Sequence, residues 1–310
     1  LEFRRVLFRS REIGNYILEQ TIYKNSFSKT KIGKHKILKE KVLIKIINIK
    51  DNIYTSKIKQ NIEIIRHLHH KNILQLYEII ETTNKLYIIT HYCDITLSKY
   101  IINQKNNFNQ SDICKLFQQI INCIEYLYLS NIYYYNIKLE NIFLDDNNRI
   151  KIDFFSDILN INNISDNNNL YNIIKNCGLF LYEMLGGKMS FNENDININN
   201  INNILYPENV SKDAINLVEN MIHINNKKNF GFNDIKSHSW FNLIEPKMRP
   251  GIIYNTNKIP VDENILDKIE QMGYDKKSCK KSIFEDKYDS LMAIDLLVLN
   301  KYINIFILIL

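Results

Sequence analysis

Apolar and polar positions alternate in three stretches near the amino end: Y-I-L-E-Q-T-I-Y from Tyr16, S-K-T-K-I-G-K-H from Ser28 and K-V-L-I-K-I-I-N-I from Lys41. A two-residue period buries one face of an extended chain, so these stretches predict consecutive strands joined by turns. The run Lys57 to Leu68 changes to helical spacing. Leu74 to Ile80 and Lys85 to Tyr92 return to strand, which completes an expected five-stranded sheet. From Asp112 to Leu129 apolar residues recur at helical intervals over more than four turns, with Ser111 or Asp112 as the expected cap. A polar knot of Asn136, Lys138, Glu140 and Asn141 then lies between Ile132 and Ile142-Phe143-Leu144, which predicts a loop held between two buried strands. Helices are expected over Cys177 to Gly187, Ser211 to Ile224 and Asn233 to Phe241. Pro246 to Pro260 holds three of the four prolines and reads as a linker. Beyond it the pattern predicts three short helices, with Gly273 as a left-handed cap ending the first and Asp275 starting the second.

Composition narrows what these elements can build. A chain of 310 residues with 45% hydrophobic content can bury a sizeable core. The bias towards Asn, Ile, Lys and Tyr is that of AT-rich coding and says little about fold. Four of the seven arginines (Arg4, Arg5, Arg9 and Arg11) fall in the first eleven residues, so residues 1–11 read as cloning or assembly sequence. Against Glu2 those arginines supply half of the net charge of +6, and the remainder is too weakly basic to call for nucleic acid. Five cysteines without CxxC spacing read as reduced thiols, which points to the cytoplasm. No signal peptide is visible, and the apolar tail Tyr302 to Leu310 is too short for a membrane span. His67-Leu68-His69-His70 has no Cys or carboxylate cluster beside it and reads as a turn rather than a metal site.

The stretch N-I-Y-Y-Y-N-I-K-L-E-N-I-F-L-D, Asn131 to Asp145, resembles the catalytic loop of the eukaryotic protein kinases, H-R-D-L-K-x-x-N. On that pattern Tyr134, Tyr135 and Asn136 stand at the His, Arg and Asp positions, while Lys138 and Asn141 match. Val42-Leu43-Ile44-Lys45 is similar to V-A-I-K, which implies that Lys45 reaches the α- and β-phosphates of a nucleotide. The glutamate that holds this lysine in the family is replaced by Asn61, and Glu63 lies about 200° round the helix, facing away. Ile22 and Thr30 flank the turn that in the family covers the phosphates, and Tyr23, Asn25 and Ser28 stand at its glycine positions. Thr90 falls at the residue limiting pocket depth, and His91-Tyr92-Cys93 at the hinge. Arg149 to Ser156 is like K-I-x-D-F-G. At the usual distance from Asn141 the metal-binding position falls on Phe154, and a one-residue deletion would return it to Asp153. The segment between Asp153 and Cys177 is Asn-rich, with no A-P-E and no threonine, and Ile173 and Asn229 replace a helix-starting Asp and an ion-pairing Arg. M-G-Y followed by Y-D-S-L-M-A-I-D-L-L resembles the ubiquitin-associated domain behind the kinase domain of microtubule-affinity-regulating and AMP-activated-like kinases.

The resemblance implies an α+β, bilobal protein-kinase-like fold, with a five-stranded small lobe and a helical large lobe, followed by a three-helix ubiquitin-associated-like domain. The expected boundaries are 12–93 and 94–245 for the lobes, 246–260 for the linker, 261–300 for the last domain and 301–310 for the tail. With Asn136 at the catalytic Asp position, the expectation is a catalytically impaired pseudokinase acting as scaffold or allosteric regulator of a protein partner such as an active kinase. ATP and magnesium are the implied cofactors, held weakly or not at all. Lys45, Ile22, Thr30, Thr90, Tyr92 and Cys93 would serve the nucleotide, Lys138 the transfer, and Asn141 with Asp153 the metal. One alternative is a weakly active ATP-dependent Ser/Thr kinase. Another is ubiquitin or partner binding by the C-terminal domain, through Met272-Gly273-Tyr274 and Leu296-Leu297.

Overall fold

The computed structural model describes residues 12–24, 28–49, 58, 62–63, 66, 68–104, 109–145, 148–153, 169–186, 205–223, 230–244, 261–285 and 287–309, with backbone alone at 169 and 300–309. Expectations placed on Asn25, Asn61, Phe154, Asn229, the Asn-rich segment and the linker lie outside those residues. The chain forms two compact units.

The first unit is built on an antiparallel sheet of β1 (Glu12–Ile13), β2 (Tyr16–Lys24), β3 (Ser28–His35), β4 (Lys41–Asn48), β5 (Leu76–Glu81) and β6 (Lys85–His91), in the order β1-β2-β3-β4-β6-β5. It therefore has six strands rather than five. The extra one is Glu12–Ile13, folded back by the turn at Gly14–Asn15 so that Ile13 pairs with Tyr16. Two residues carry no readable period, which is why alternation did not announce it. β4 lies between β3 and β6, and Val42 to Ile47 are all buried, as a central strand covered on both faces requires. Ile58, Ile62, Glu63 and Arg66 are helical; the two isoleucines are buried, while Glu63 is exposed and pairs with Arg66 at 2.9 Å. Glu63 thus faces outwards, as its angular position predicts.

The second unit begins with His70–Ile73 and resumes at Asp94. β7 (Ile95–Thr96) leads into α1 (Leu97–Gln104) and then α2 (Gln110–Leu129). α2 is capped by Asn109, whose side chain accepts from the Asp112 N–H at 2.9 Å, two residues before the expected cap. Asn109 is extended and its short carboxamide reaches the first free amides, which a residue already inside the helix cannot do. Phe117 on α2 packs edge-on to Trp240 and Phe241, with ring centroids 6.3 Å apart in both cases. The Gln118 amide donates to the Phe241 and Ile244 carbonyls at 2.6 and 3.1 Å. β8 (Ile142–Leu144) and β9 (Ile150–Ile152) make a hairpin beside β7, followed by α3 (Asn169–Met184), α4 (Lys212–Ile222) and α5 (Phe232–Ser237). α3 starts eight residues before the expected Cys177, because Ile173 and Ile174 already belong to its buried stripe. His70 is structural: its Nδ1 accepts from the Asn72 N–H at 3.1 Å and its ring stacks on Tyr126. Burial, helped by the charges of Lys71 and Lys151, pushes its pKa down to about 4.

The last three helices are α6 (Glu263–Gln271), α7 (Lys276–Phe284) and α8 (Ser290–Ile309). Gly273 has φ +92 just after α6, and the Asp275 carboxylate caps α7 by accepting from the Ser278 N–H at 2.8 Å. The third helix is not short: its 20 residues take in the apolar tail as far as Ile309. Among the described residues no helix is long and apolar enough to cross a membrane. These helices belong to the same compact unit as the six-stranded sheet. The Ile79 N–H on β5 donates to the Tyr288 carbonyl at 3.1 Å, and the Tyr288 hydroxyl donates to the Arg66 carbonyl at 2.7 Å. Leu296 and Leu297 are only 4% and 3% exposed. The apolar pair expected to face ubiquitin is used in packing instead, whereas Met272 is exposed.

Candidate functional site

Six of the expected nucleotide residues lie in the first unit. Lys45 sits on the central strand, buried, with Thr30 opposite it on β3 and Ile88 opposite it on β6. Thr90 is buried between Leu43 and Leu76. Cys93 is buried too, whereas Tyr92 is half-buried with the Lys41 ammonium 5.1 Å from its ring centroid, a cation–π contact. Ile22 is exposed, and so is Tyr23, paired with Thr30 at the mouth of the turn. A tyrosine there puts a bulky side chain where the resemblance leads one to expect bare backbone.

The other four expected residues meet in the second unit. The β8–β9 ladder pairs Ile142 with Ile152, which leaves Asn141 and Asp153 at its open end. The Asp153 N–H donates to the Asn141 carbonyl at 2.8 Å, and Asp153 is buried. The two oxygen-bearing side chains therefore flank one backbone hydrogen bond, although Asp153 is a residue early by sequence spacing. β9 is held in this register by a buried amide pair. Asn72 Nδ2 donates to Gln119 Oε1 at 3.1 Å and to the Ile150 carbonyl at 3.0 Å, and the Ile150 N–H donates to Gln119 Oε1 at 3.2 Å. Residues 139–141 form one 3-10 turn, in which the Asn141 N–H donates to the Lys138 carbonyl at 3.0 Å. Asn136 and Lys138 are half-buried in the loop before it, and Tyr134 is buried.

Two further residues, both on α3, bear on this loop and were missed by motif reading. Asn176 Nδ2 donates to the Tyr135 carbonyl at 3.0 Å, fixing the backbone one residue before Asn136. Glu183 lies close enough to Glu140 and Lys138 for their charges to act on it. Burial is the main cause that raises its pKa, Glu140 adds to the rise, and Lys138 opposes it. Asn176 and Glu183 are seven residues apart, two helical turns, and so share a face of α3. That spacing was the available signal.

Chemically, the loop offers two amides, an ammonium and carboxylates, a set able to bind cations and polar groups. At Asn136 it offers no group that takes up a proton in the working pH range. Residues 16–169 match the family described as "Protein kinase domain". The chain is 29% identical over 298 residues to the SNF1-related protein kinase catalytic subunit alpha KIN12 of Arabidopsis thaliana, covering 87% of this chain and 60% of that one. It is 28% identical over 306 residues to the SNF1-like protein kinase ssp2 of Schizosaccharomyces pombe, covering 89% and 53%. To the carbon catabolite-derepressing protein kinase of Candida glabrata it is 27% identical over 305 residues, covering 85% and 50%. The chain thus spans between half and 60% of the length of these relatives.

Proposed function

We propose that this chain, matched to the protein kinase domain over residues 16–169, works as a catalytically impaired, kinase-like regulator that acts by binding a protein partner, an active kinase being the natural candidate. The observation that carries this reading is Asn136 at the position of the proton-accepting Asp, in a loop whose backbone is anchored by Asn176. An amide there forfeits general-base help of about 10²–10⁴-fold. Tyr23 in the phosphate turn and Glu63 facing outwards argue in the same direction, since phosphoryl transfer depends on positioning and charge stabilisation. SNF1-related relatives support a kinase-type body for the regulator. A body of this kind, with the C-terminal helices on its sheet, would bias a partner's conformation rather than modify a substrate.

A second reading, a weak ATP-dependent Ser/Thr kinase, is favoured by the meeting of Asn141 and Asp153. Their side-chain oxygens are the donor type that magnesium prefers, so this pair in the second unit fits a magnesium ion, and in the first unit Lys45 is by itself a cation suited to phosphate. When bound, such a group would supply the transferable phosphoryl; Lys138 and Asn141 would orient it. Thermal-shift titration with ATP, with and without Mg²⁺, run beside a peptide phosphotransfer assay separates the two readings. The regulator reading expects phosphotransfer at background. A stabilisation of RT ln(1 + [L]/Kd) that needs both metal and Lys45, together with transfer abolished by Lys45→Ala, would establish the enzyme instead.

A further inference from the structure

Glu78 on β5 is 7% exposed, and its Oε2 is buried with no hydrogen-bond partner among the described residues. Two groups face its carboxyl: the buried Tyr16 hydroxyl from β2 and Asp289 from the turn before α8. The neighbouring Ile79 N–H is bonded to the Tyr288 carbonyl, so the turn that carries Asp289 is fastened to the strand that carries Glu78. Asp289 is fixed in place, its Oδ1 accepting from the Ser282 hydroxyl at 2.6 Å and from the Leu291 and Met292 N–H groups at 3.1 Å. Lys287, paired with Glu285 at 2.7 Å, and the Cys279 thiol are the other groups that feel its charge. Further along α8, Asp295 is 2% exposed with its Oδ1 unpartnered among the described residues, facing Asp262 at the start of α6 and Cys279 on α7.

A buried carboxylate without a cation or enough donors is costly when ionised and cheap when neutral, and two facing each other add repulsion. We propose that the junction between the C-terminal helices and β5 is an acid-tightened clasp, in which Glu78, opposed by Asp289, and Asp295 in the helix core hold when protonated and loosen when ionised. The clasp is independent of whether the chain binds nucleotide. Burial, then the charge of Asp262, pushes the Asp295 pKa up to about 6. Burial likewise raises Glu78, with Asp289 adding to the rise and the Tyr16 hydroxyl opposing it. A folded-state pKa above the unfolded value means the stabilisation is complete below the ordinary carboxylate range and is lost as pH climbs through about 6. The exposed carboxylates of Glu263 and Glu285, lowered by their lysine partners, titrate below that window and do not confuse it.

Hydrogen–deuterium exchange of the full chain at pH 5 and pH 7, corrected for intrinsic exchange rates, tests the proposal. Opening of α8 relative to β4 is expected to be about tenfold more frequent at pH 7, the ratio linkage gives for an Asp moved from its ordinary value to about 6, and opening of β5 is expected to increase in the same direction. Asp295→Asn is expected to flatten the α8 response and Glu78→Gln the β5 response. If Glu78→Gln does not fold, Asp289→Asn keeps the capping acceptor while removing the facing charge, and is expected to weaken the β5 response, because burial of Glu78 remains. Equal relative protection at both pH values, or a pH response undiminished in the folded variants, overturns the clasp.

Discussion

At the scale of single residues, the central loop is held by Asn176, whose amide meets the Tyr135 carbonyl, and carries at Asn136 a side chain that takes up no proton in the working pH range. On the proposed regulator reading, Asn136→Asp raises peptide phosphotransfer by about 10²–10⁴-fold over the unmodified chain where Asn136 alone is limiting. Where other positions limit as well, the variant stays at background; a peptide assay reads which. Asn176→Ala removes the amide that meets the Tyr135 carbonyl and is expected to cost about 1 kcal/mol, read as a lower urea midpoint with unchanged slope. Lys45, Lys138 and Asn141 stand out in the sequence because the resemblance places particular side chains at particular spacings. Asn176 and Glu183 were not, since nothing local links α3 to a loop some forty residues earlier until the two pack together. Asp153 shows the same limit from the other side. By sequence spacing it falls one residue short of the expected position, whereas the ladder ending at Ile152 sets its backbone beside Asn141.

At the scale of elements, periodicity located β2 to β6 and the helical stretches because burial of one face writes itself into the sequence. What it could not locate were features with no period: the two-residue β1, the Asn109 cap and the early start of α3. α3 also depends on close approach to α4. A Cβ at Gly178 would lie 2.7 Å from Met221 Cβ and 3.1 Å from Ile222 Cγ1, so the helices meet across a hydrogen atom. Gly178→Ala is therefore expected to destabilise the second unit by about 1–3 kcal/mol despite alanine's better helix propensity, which calorimetry would register as a lower transition. An unchanged or higher transition would mean that α4 can back away at no cost.

At the scale of the whole molecule, the first unit is assembled from both ends of the described chain, with the C-terminal helices seated on β5. Linear domain boundaries hide this, because a linker composition announces a break in sequence and says nothing about where the next helices return. A chain ending at residue 260 is expected to lose the Tyr288 bonds to Ile79 and Arg66 and to expose apolar surface on β5. Its first thermal transition should fall by several degrees, about 2–4 °C for each kcal/mol lost in a chain of this size, with increased dye binding. The same arrangement bears on how the protein is made. β5 leaves the ribosome about two hundred residues before the turn at Tyr288 that fastens to it, and at roughly 5–20 residues per second that is a wait of about 10–40 s. For that interval the nascent sheet has an uncovered edge, and whatever shelters it during synthesis must let go when α8 arrives.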